Sequence, residues 1–343
     1  MRRPKDRDFV ETEEGFFFCL VGYLHPPDRY TAYLKYTPAE AGKWSRGEVF
    51  YRRELPYYHV RNVLETVHFL ERRHPRYVWT DPLQDLKFSY VPRDAVTRYY
   101  APEQRLAEIV SQPRDALEAD VAALARLVVR TSGTPLNHFG ITGSVLLGLH
   151  NPAFSDIDLL VYGRNQAQKV QRAIESLKGP DIQELEPERR ARWREETAAR
   201  FGLTDTDVAR LVARRWNYFL YRGRYVSVHP TRSDEEIREA YGERRWTKVG
   251  AATLEATVSD ATESMFLPAV YRLTDVSVLE GASREIRELI SFEGLYCQVA
   301  DAGDRIVAQG ELEQQQESGA CRLVVGTAGA PDGGFIRSVP PPR

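Results

Sequence analysis

The chain opens with short runs of aromatic and β-branched residues separated by turn formers. Residues 16–21 (Phe16-Phe17-Phe18-Cys19-Leu20-Val21) and 30–36 (Tyr30-Thr31-Ala32-Tyr33-Leu34-Lys35-Tyr36) read as strands. Between them His25-Pro26-Pro27-Asp28-Arg29 predicts a rigid turn. A short helix is expected over 61–72, followed by loops around Pro75, Pro82 and Pro92. Tyr30, Tyr33, Tyr36, Tyr57 and Tyr58 are read as one amphipathic face of this sheet.

The pattern changes near Pro113. Leu117, Val121, Leu124, Leu127 and Val128 recur at helical spacing, which predicts a helix over 115–130, ended by Ser132-Gly133-Thr134-Pro135. A strand (138–142), a short helix (145–150), a second strand (155–162) and a helix (166–177) follow. Residues 184–200 are highly charged and read as helical, and Thr204 N-caps a helix expected over 204–216. Tyr218-Phe219-Leu220-Tyr221 and Tyr225-Val226-Ser227-Val228 predict a hairpin across Arg222-Gly223. From about Trp246 the chain reads as short strands at 253–258, 292–299, 305–312 and 321–325. The one helical pattern there covers 283–289, and the Pro340-Pro341-Pro342 end reads as a frayed tail. These elements predict an α+β fold: a central domain over 113–245, flanked by β-rich regions over 1–112 and 246–343.

Composition narrows the class. The chain has 343 residues and a formal net charge of -2, which disfavours a uniformly basic nucleic-acid protein but leaves room for a local basic face. No apolar run is long enough for a membrane span and no signal-type apolar segment follows the charged first residues, so no membrane association is expected. Three distant cysteines, none in a CxxC pair, point to a reducing cytoplasm and away from disulfide or zinc frameworks.

The chemistry concentrates between Gly143 and Asp158. On a strand, Asp156 and Asp158 project to one side while Ile157 and Leu159 project to the other. Two adjacent carboxylates repel unless a hard dication lies between them, so Asp156 and Asp158 are the expected metal ligands and Mg2+ the expected ion. Gly143-Ser144 sits between a strand and a helix. Glycine admits close backbone approach, and free N–H groups and a hydroxyl there suit a phosphate.

Gly143-Ser144, an eleven-residue gap and Asp156-Ile157-Asp158 resemble the signature of the DNA polymerase β-type nucleotidyltransferase superfamily. The resemblance covers about a third of the chain, residues 115–230. It implies transfer of a nucleoside monophosphate from an NTP to an acceptor, with release of pyrophosphate. The whole chain also resembles a little-characterised, largely archaeal group of nucleotidyltransferases, through the turn at His25 to Arg29. That superfamily carries a third carboxylate on a later strand, where this chain has Tyr225-Val226-Ser227-Val228-His229. Three readings stay open: His229 or Ser227 takes its place, with His229 as a candidate catalytic base; Glu184 or Glu186 approaches from elsewhere; or the domain binds nucleotide without turnover.

Arginines supply further candidates. Two readings stay open for Arg214 and Arg215, with Arg222 and Arg224: they bind triphosphate or RNA backbone while Trp216 or Tyr218 stacks a base, or they are plain surface arginines. The arginines at 189–194 read as a solvated helix face, and the His25 turn as structural. The sequence does not identify the acceptor; RNA and protein stay open, the latter making the chain a protein AMP-transferase. The sequence specifies neither the base nor the oligomeric state.

Overall fold

The structure, a computed structural model, describes residues 2–55, 59–179, 181–327 and 330–339. Tyr57, Tyr58 and the terminal prolines lie outside these. Contacts cluster into two compact units: Met1–Leu55 with Tyr90–Glu186 and Trp216–Arg238, and Pro56–Ser89 with Pro187–Arg215 and Glu239–Arg343. The fold is mixed, with an α/β region in the middle of the chain and β-rich regions on either side.

The first unit begins with β1 (Phe9–Thr12), β2 (Phe17–Leu20), β3 (Arg29–Ala39), β4 (Trp44–Arg46) and β5 (Val49–Arg53). The chain then gives α1 (Val60–Arg73), β6 (Val78–Asp81) and the start of β7 (Leu86–Pro92) to the second unit. β8 (Val96–Tyr100) completes a sheet in the order β4-β5-β3-β2-β1-β8. Tyr33 and Tyr36 are buried on it, whereas Tyr30 is half-buried. Around Pro75 and Pro82 the expected loops are brief, and β6 and β7 pair between them from Val78↔Ser89 to Asp81↔Leu86.

Next come α2 (Pro102–Ser111), which the sequence reading missed, and α3 (Ala116–Ser132). Asp115 caps α3 by accepting from the Glu118 N–H at 2.9 Å, and Gly133 closes it in the left-handed region (φ 67). Leu117, Val121, Leu124 and Val128 are buried, as their spacing predicted. β9 (Phe139–Ile141), α4 (Gly143–Leu147), β10 (Ile157–Tyr162) and α5 (Arg164–Leu177) follow. The chain enters the second unit for α6 (Pro187–Phe201) and α7 (Asp205–Ala213), then returns in β11 (Tyr218–Tyr221) and β12 (Arg224–Thr231).

These strands form a mixed sheet ordered β11-β12-β10-β9. β11 and β12 are the expected hairpin; Arg222 and Gly223 both take positive φ (50 and 77), as a two-residue turn between right-twisted strands requires. β10 and β12 are parallel, in register from Ile157↔Val226 to Tyr162↔Thr231. Parallel neighbours need a crossover, and α5 provides it while burying Ala167, Val170, Ala173 and Ile174.

In the second unit α7 starts with a capping box between Thr204 and Asp207 and ends at Ala213, short of the expected Trp216. The remaining strands are β13 (Trp246–Asp260), β14 (Ala269–Glu280), β15 (Ile286–Ser291), β16 (Arg305–Gln315), β17 (Cys321–Val325) and β18 (Phe335–Val339). They run β13-β14-β15-β17-β16-β18, and β13 also pairs with β16, so five strands close on themselves. Leu254, Ala256, Val258, Tyr271, Leu289 and Leu323 are among the residues of its core. Closure leaves few free edges.

Two sequence expectations fail here. Residues 283–289, read as helical, supply β15, because Leu289 and Ile290 are buried beside β17. Residues 292–299, read as a strand, hold only a single 3-10 turn at Gly294–Tyr296. In both cases closure of the sheet overrides local pattern.

Gly310 marks a tight point in this closed sheet. A Cβ there would collide with the Val324 carbonyl oxygen and come within 3.0 Å of its carbon. Backbone cannot swing aside as a side chain can. Gly310→Ala is therefore expected to destabilise the protein by about 2 kcal/mol, a fall of roughly 5 °C in Tm on thermal melting.

Candidate functional site

The site grows from the parallel pairing of β10 and β12. Asp158 and Ser227 lie directly opposite each other in register, so their side chains share a face. The Ser227 hydroxyl donates to Asp158 Oδ1, and Ser227 Oγ lies 2.8 Å from His229 Nε2. A hydroxyl has one proton to give, and here it goes to the carboxylate. His229 Nε2 therefore carries hydrogen and donates to Ser227 Oγ. Ser227 is buried; Asp158 and His229 are half-buried. The result is a polar chain His229–Ser227–Asp158 across two strands.

Gly143 lies on the other side of Asp158. Its φ is 67, and a Cβ built on it would stand 2.6 Å from Asp158 Oδ2. Absence of a side chain thus leaves the carboxylate its place against the turn. Both the conformation and the space require glycine. The turn is fixed further by Thr142, whose N–H donates to the Asp158 carbonyl at 2.9 Å and whose hydroxyl donates to the Arg7 carbonyl at 2.8 Å. Arg7 itself has a left-handed backbone (φ 68), unusual for a side-chain-bearing residue. Ser144 is half-buried in α4, which is only five residues long.

Asp156 is exposed and precedes β10, which begins at Ile157, one residue later than a strand through both aspartates would need. The loop carrying it presents Phe154, 47% exposed, whose ring meets Trp44 of β4 edge-on at 6.5 Å. Gly143, Asp158, Ser227 and His229 are therefore brought together, with Ser144 and Asp156 in the adjoining turn and loop.

The arginines have other partners. Arg214 pairs with Asp301 and with Asp304 at 3.2 Å, and Arg215 donates to the carbonyls of Gly294, Leu295 and Cys297. Arg222 and Arg224 both bind Asp120, at 3.1 and 2.8 Å. An arginine so engaged meets a phosphate only by exchanging partners. Trp216 is 4% exposed, so its ring has no free face for a base, while Tyr218 stacks on Tyr225 at 6.0 Å. Glu184 and Glu186 are both exposed. His25 accepts from the Thr31 N–H at 3.2 Å, and burial followed by the Arg93 charge pushes its pKa down to about 3. It is a neutral fastener of the turn.

A second group, Asp115, Glu118 and His150, places its ligand-type atoms within 4.8 Å of one another. Its bonds are those of a helix start: Asp115 caps α3, Glu118 takes Arg105 and the Arg114 N–H, and His150 Nε2 meets Asp115 at 2.8 Å. Sequence reasoning did not anticipate this cluster, because His150 reaches Asp115 only through the packing of the loop after α4.

The Gly143 turn thus lies beside a strand-borne carboxylate on a mixed sheet with a parallel central pair. Residues 135–210 match the nucleotidyltransferase domain family. Over 331 residues it is 29% identical to an uncharacterized protein of Methanocaldococcus jannaschii, a match that covers 94% of this chain and 95% of that protein. The likeness thus includes the flanking β-rich regions as well as the central domain. No solved structure matches the chain. Among the described residues no helix is long and apolar enough to cross a membrane.

Proposed function

We propose that this protein transfers a nucleoside monophosphate from an NTP to an acceptor in the presence of Mg2+, releasing pyrophosphate. The observation that carries the reading is the bare Gly143 turn set against the Asp158 carboxylate within a nucleotidyltransferase domain. Asp156 and Asp158 offer hard oxygen donors, the set that Mg2+ prefers, and the Gly143 cradle keeps one of them unobstructed. An ion held there would supply neutralisation of the phosphate charge. Asp156 and Asp158 would hold it, Gly143 and Ser144 would admit the phosphates, and Ser227 would orient Asp158.

His229 is the candidate base, with its Nε2 proton directed at Ser227. With Nε2 so engaged, His229 would accept a proton through Nδ1, or through Nε2 only once the Ser227 bond rearranges. This favours one second reading, a domain of the same fold that binds nucleotide or RNA with weak or no turnover. A protein acceptor that receives AMP fits the first reading equally well.

The test is pyrophosphate release and transfer of label from α-labelled NTPs, with RNA, protein and self as acceptors. Release is expected with Mg2+, to vanish with a chelator and to return when Mg2+ is restored. Metal-dependent NTP binding with no release for any NTP or acceptor would leave only the binding reading. Absence of metal-dependent binding would overturn both.

A further inference from the structure

The N-terminal sheet offers cations to this site. β2 and β3 slip once in register: Phe17 faces Tyr36 and Phe18 faces Leu34, so Lys35 is the extra residue of a bulge. Bulges re-aim side chains and recur beside functional sites. Cys19 faces Tyr33 on one side and Phe9 on the other, while Tyr36 faces Arg53 on β5. Phe17 and Cys19 are two residues apart on β2 and share a face, which therefore also carries Phe9, Tyr33, Tyr36 and Arg53. The Lys35 ammonium lies 5.2 Å from the Phe9 ring centre and 6.0 Å from that of Tyr36, so the bulge has brought Lys35 to the same face.

That face looks toward the carboxylate site. It is tied to it on two sides, by the Thr142 hydroxyl on the Arg7 carbonyl beside Gly143 and by Trp44 against Phe154 ahead of Asp156. Trp44 also meets the Tyr36 ring at 5.7 Å, which continues the contact back to the bulge. Among the described residues neither Lys35 nor Arg53 has a hydrogen-bonded carboxylate, and the buried Arg53 Nε has no hydrogen-bond partner at all. Arg7, by contrast, is paired with Asp6 at 3.5 Å. Burial, and then the charge of Arg53, hold the Lys35 pKa below the usual lysine range, while Asp158 acts in the opposite direction. Two half-buried, unneutralised cations on one face are costly unless an anion joins them.

We infer that Lys35 and Arg53 form a polyphosphate subsite, which takes the β- and γ-phosphates of the NTP across from Asp158. The inference deepens the nucleotidyl-transfer reading and rests on it for the identity of the ligand. Lys35 gives a point charge and Arg53 a fork for two phosphate oxygens. Tyr36 and Phe9 hold the stem of Lys35 so that its head reaches the site.

The subsite can be tested apart from turnover, by calorimetric binding of inorganic tripolyphosphate with a chelator present. The wild-type protein is expected to bind it. Lys35→Met and Arg53→Met should each weaken binding at least about 10-fold, and Lys35→Arg should retain most of it, since each lost charge-assisted contact of this kind is worth on the order of one decade. Lys169→Met, at an exposed position on α5, controls for general charge and should bind as wild type does. Absence of tripolyphosphate binding by the wild type, or wild-type affinity in Arg53→Met, would overturn the subsite. If Lys35→Met fails to fold by near-ultraviolet circular dichroism, Arg53→Met decides alone. Tripolyphosphate binding lost in Arg53→Met, with no pyrophosphate release by the wild type, would sustain the subsite while the transfer reading fails.

Discussion

Asp158→Asn is expected to reduce nucleotidyl transfer at least about 1,000-fold, on the order of 4 kcal/mol of barrier, while leaving the protein folded. The reasoning begins with isostery. Asparagine keeps the volume of aspartate and its Oδ1 can still accept from the Ser227 hydroxyl, so the β10–β12 pairing has no cause to change. What disappears is the negative charge at the oxygen facing Gly143. An amide is a poor ligand for Mg2+ compared with a carboxylate, and in the proposed reaction no neighbouring group on β12 replaces it, because Ser227 and His229 are neutral or cationic. Transfer should be measured with α-labelled NTP beside a thermal melt. A variant that keeps more than about a tenth of wild-type transfer would remove Asp158 from the metal site and with it the proposed mechanism.

Gly143→Ala carries the second large effect, by a different route. The new methyl carbon would stand 2.6 Å from Asp158 Oδ2, far inside contact distance, and alanine would be forced into a left-handed backbone at φ 67. The strain alone costs roughly 1–2 kcal/mol, so a modest fall in Tm is expected. The collision must be relieved by moving either the turn or the carboxylate. The turn is held by Thr142 through Asp158 and Arg7, so the carboxylate is the group that moves. A displacement of about 1 Å at a reacting centre costs on the order of 100-fold in rate. Transfer should therefore fall by about that factor, with a raised Mg2+ requirement seen in a metal titration. Unchanged transfer and metal dependence would mean that the Asp158 oxygen facing Gly143 takes no part.

The two variants separate the contributions of charge and position. Asp158→Asn removes a ligand without moving backbone, and Gly143→Ala moves a ligand without removing charge. Should the protein instead bind nucleotide without turnover, both variants would still weaken metal-dependent NTP binding, and neither would show a transfer defect because none would exist to lose.

Much of this protein was decided locally, and that part was legible. Asp115, Gly133 and Thr204 mark helix ends through their own side chain or backbone freedom, within four residues of the groups they satisfy. Arg222-Gly223 sets its hairpin by the φ values a two-residue turn demands. Gly143 could be placed at a turn because turn chemistry acts over a few residues, whereas strand alternation placed Asp156 on a strand that begins only at Ile157. What the sequence could not decide was which distant segment lies beside each of these. Asp158 and Ser227 are 69 positions apart, and only the parallel pairing of β10 with β12 makes them neighbours. Lys35 shares a face with Phe9 and Tyr36 only because β2 and β3 slip by one residue, a register set by burial of Phe17 and Cys19 and not by Lys35 itself. The strand at 286–291, read in part as a helix, exists because β17 and β14 pair with it. Turn and cap preferences are short-range energies carried by the residues themselves; strand neighbours and bulges follow from which buried faces fit together, and only the folded chain has that choice made.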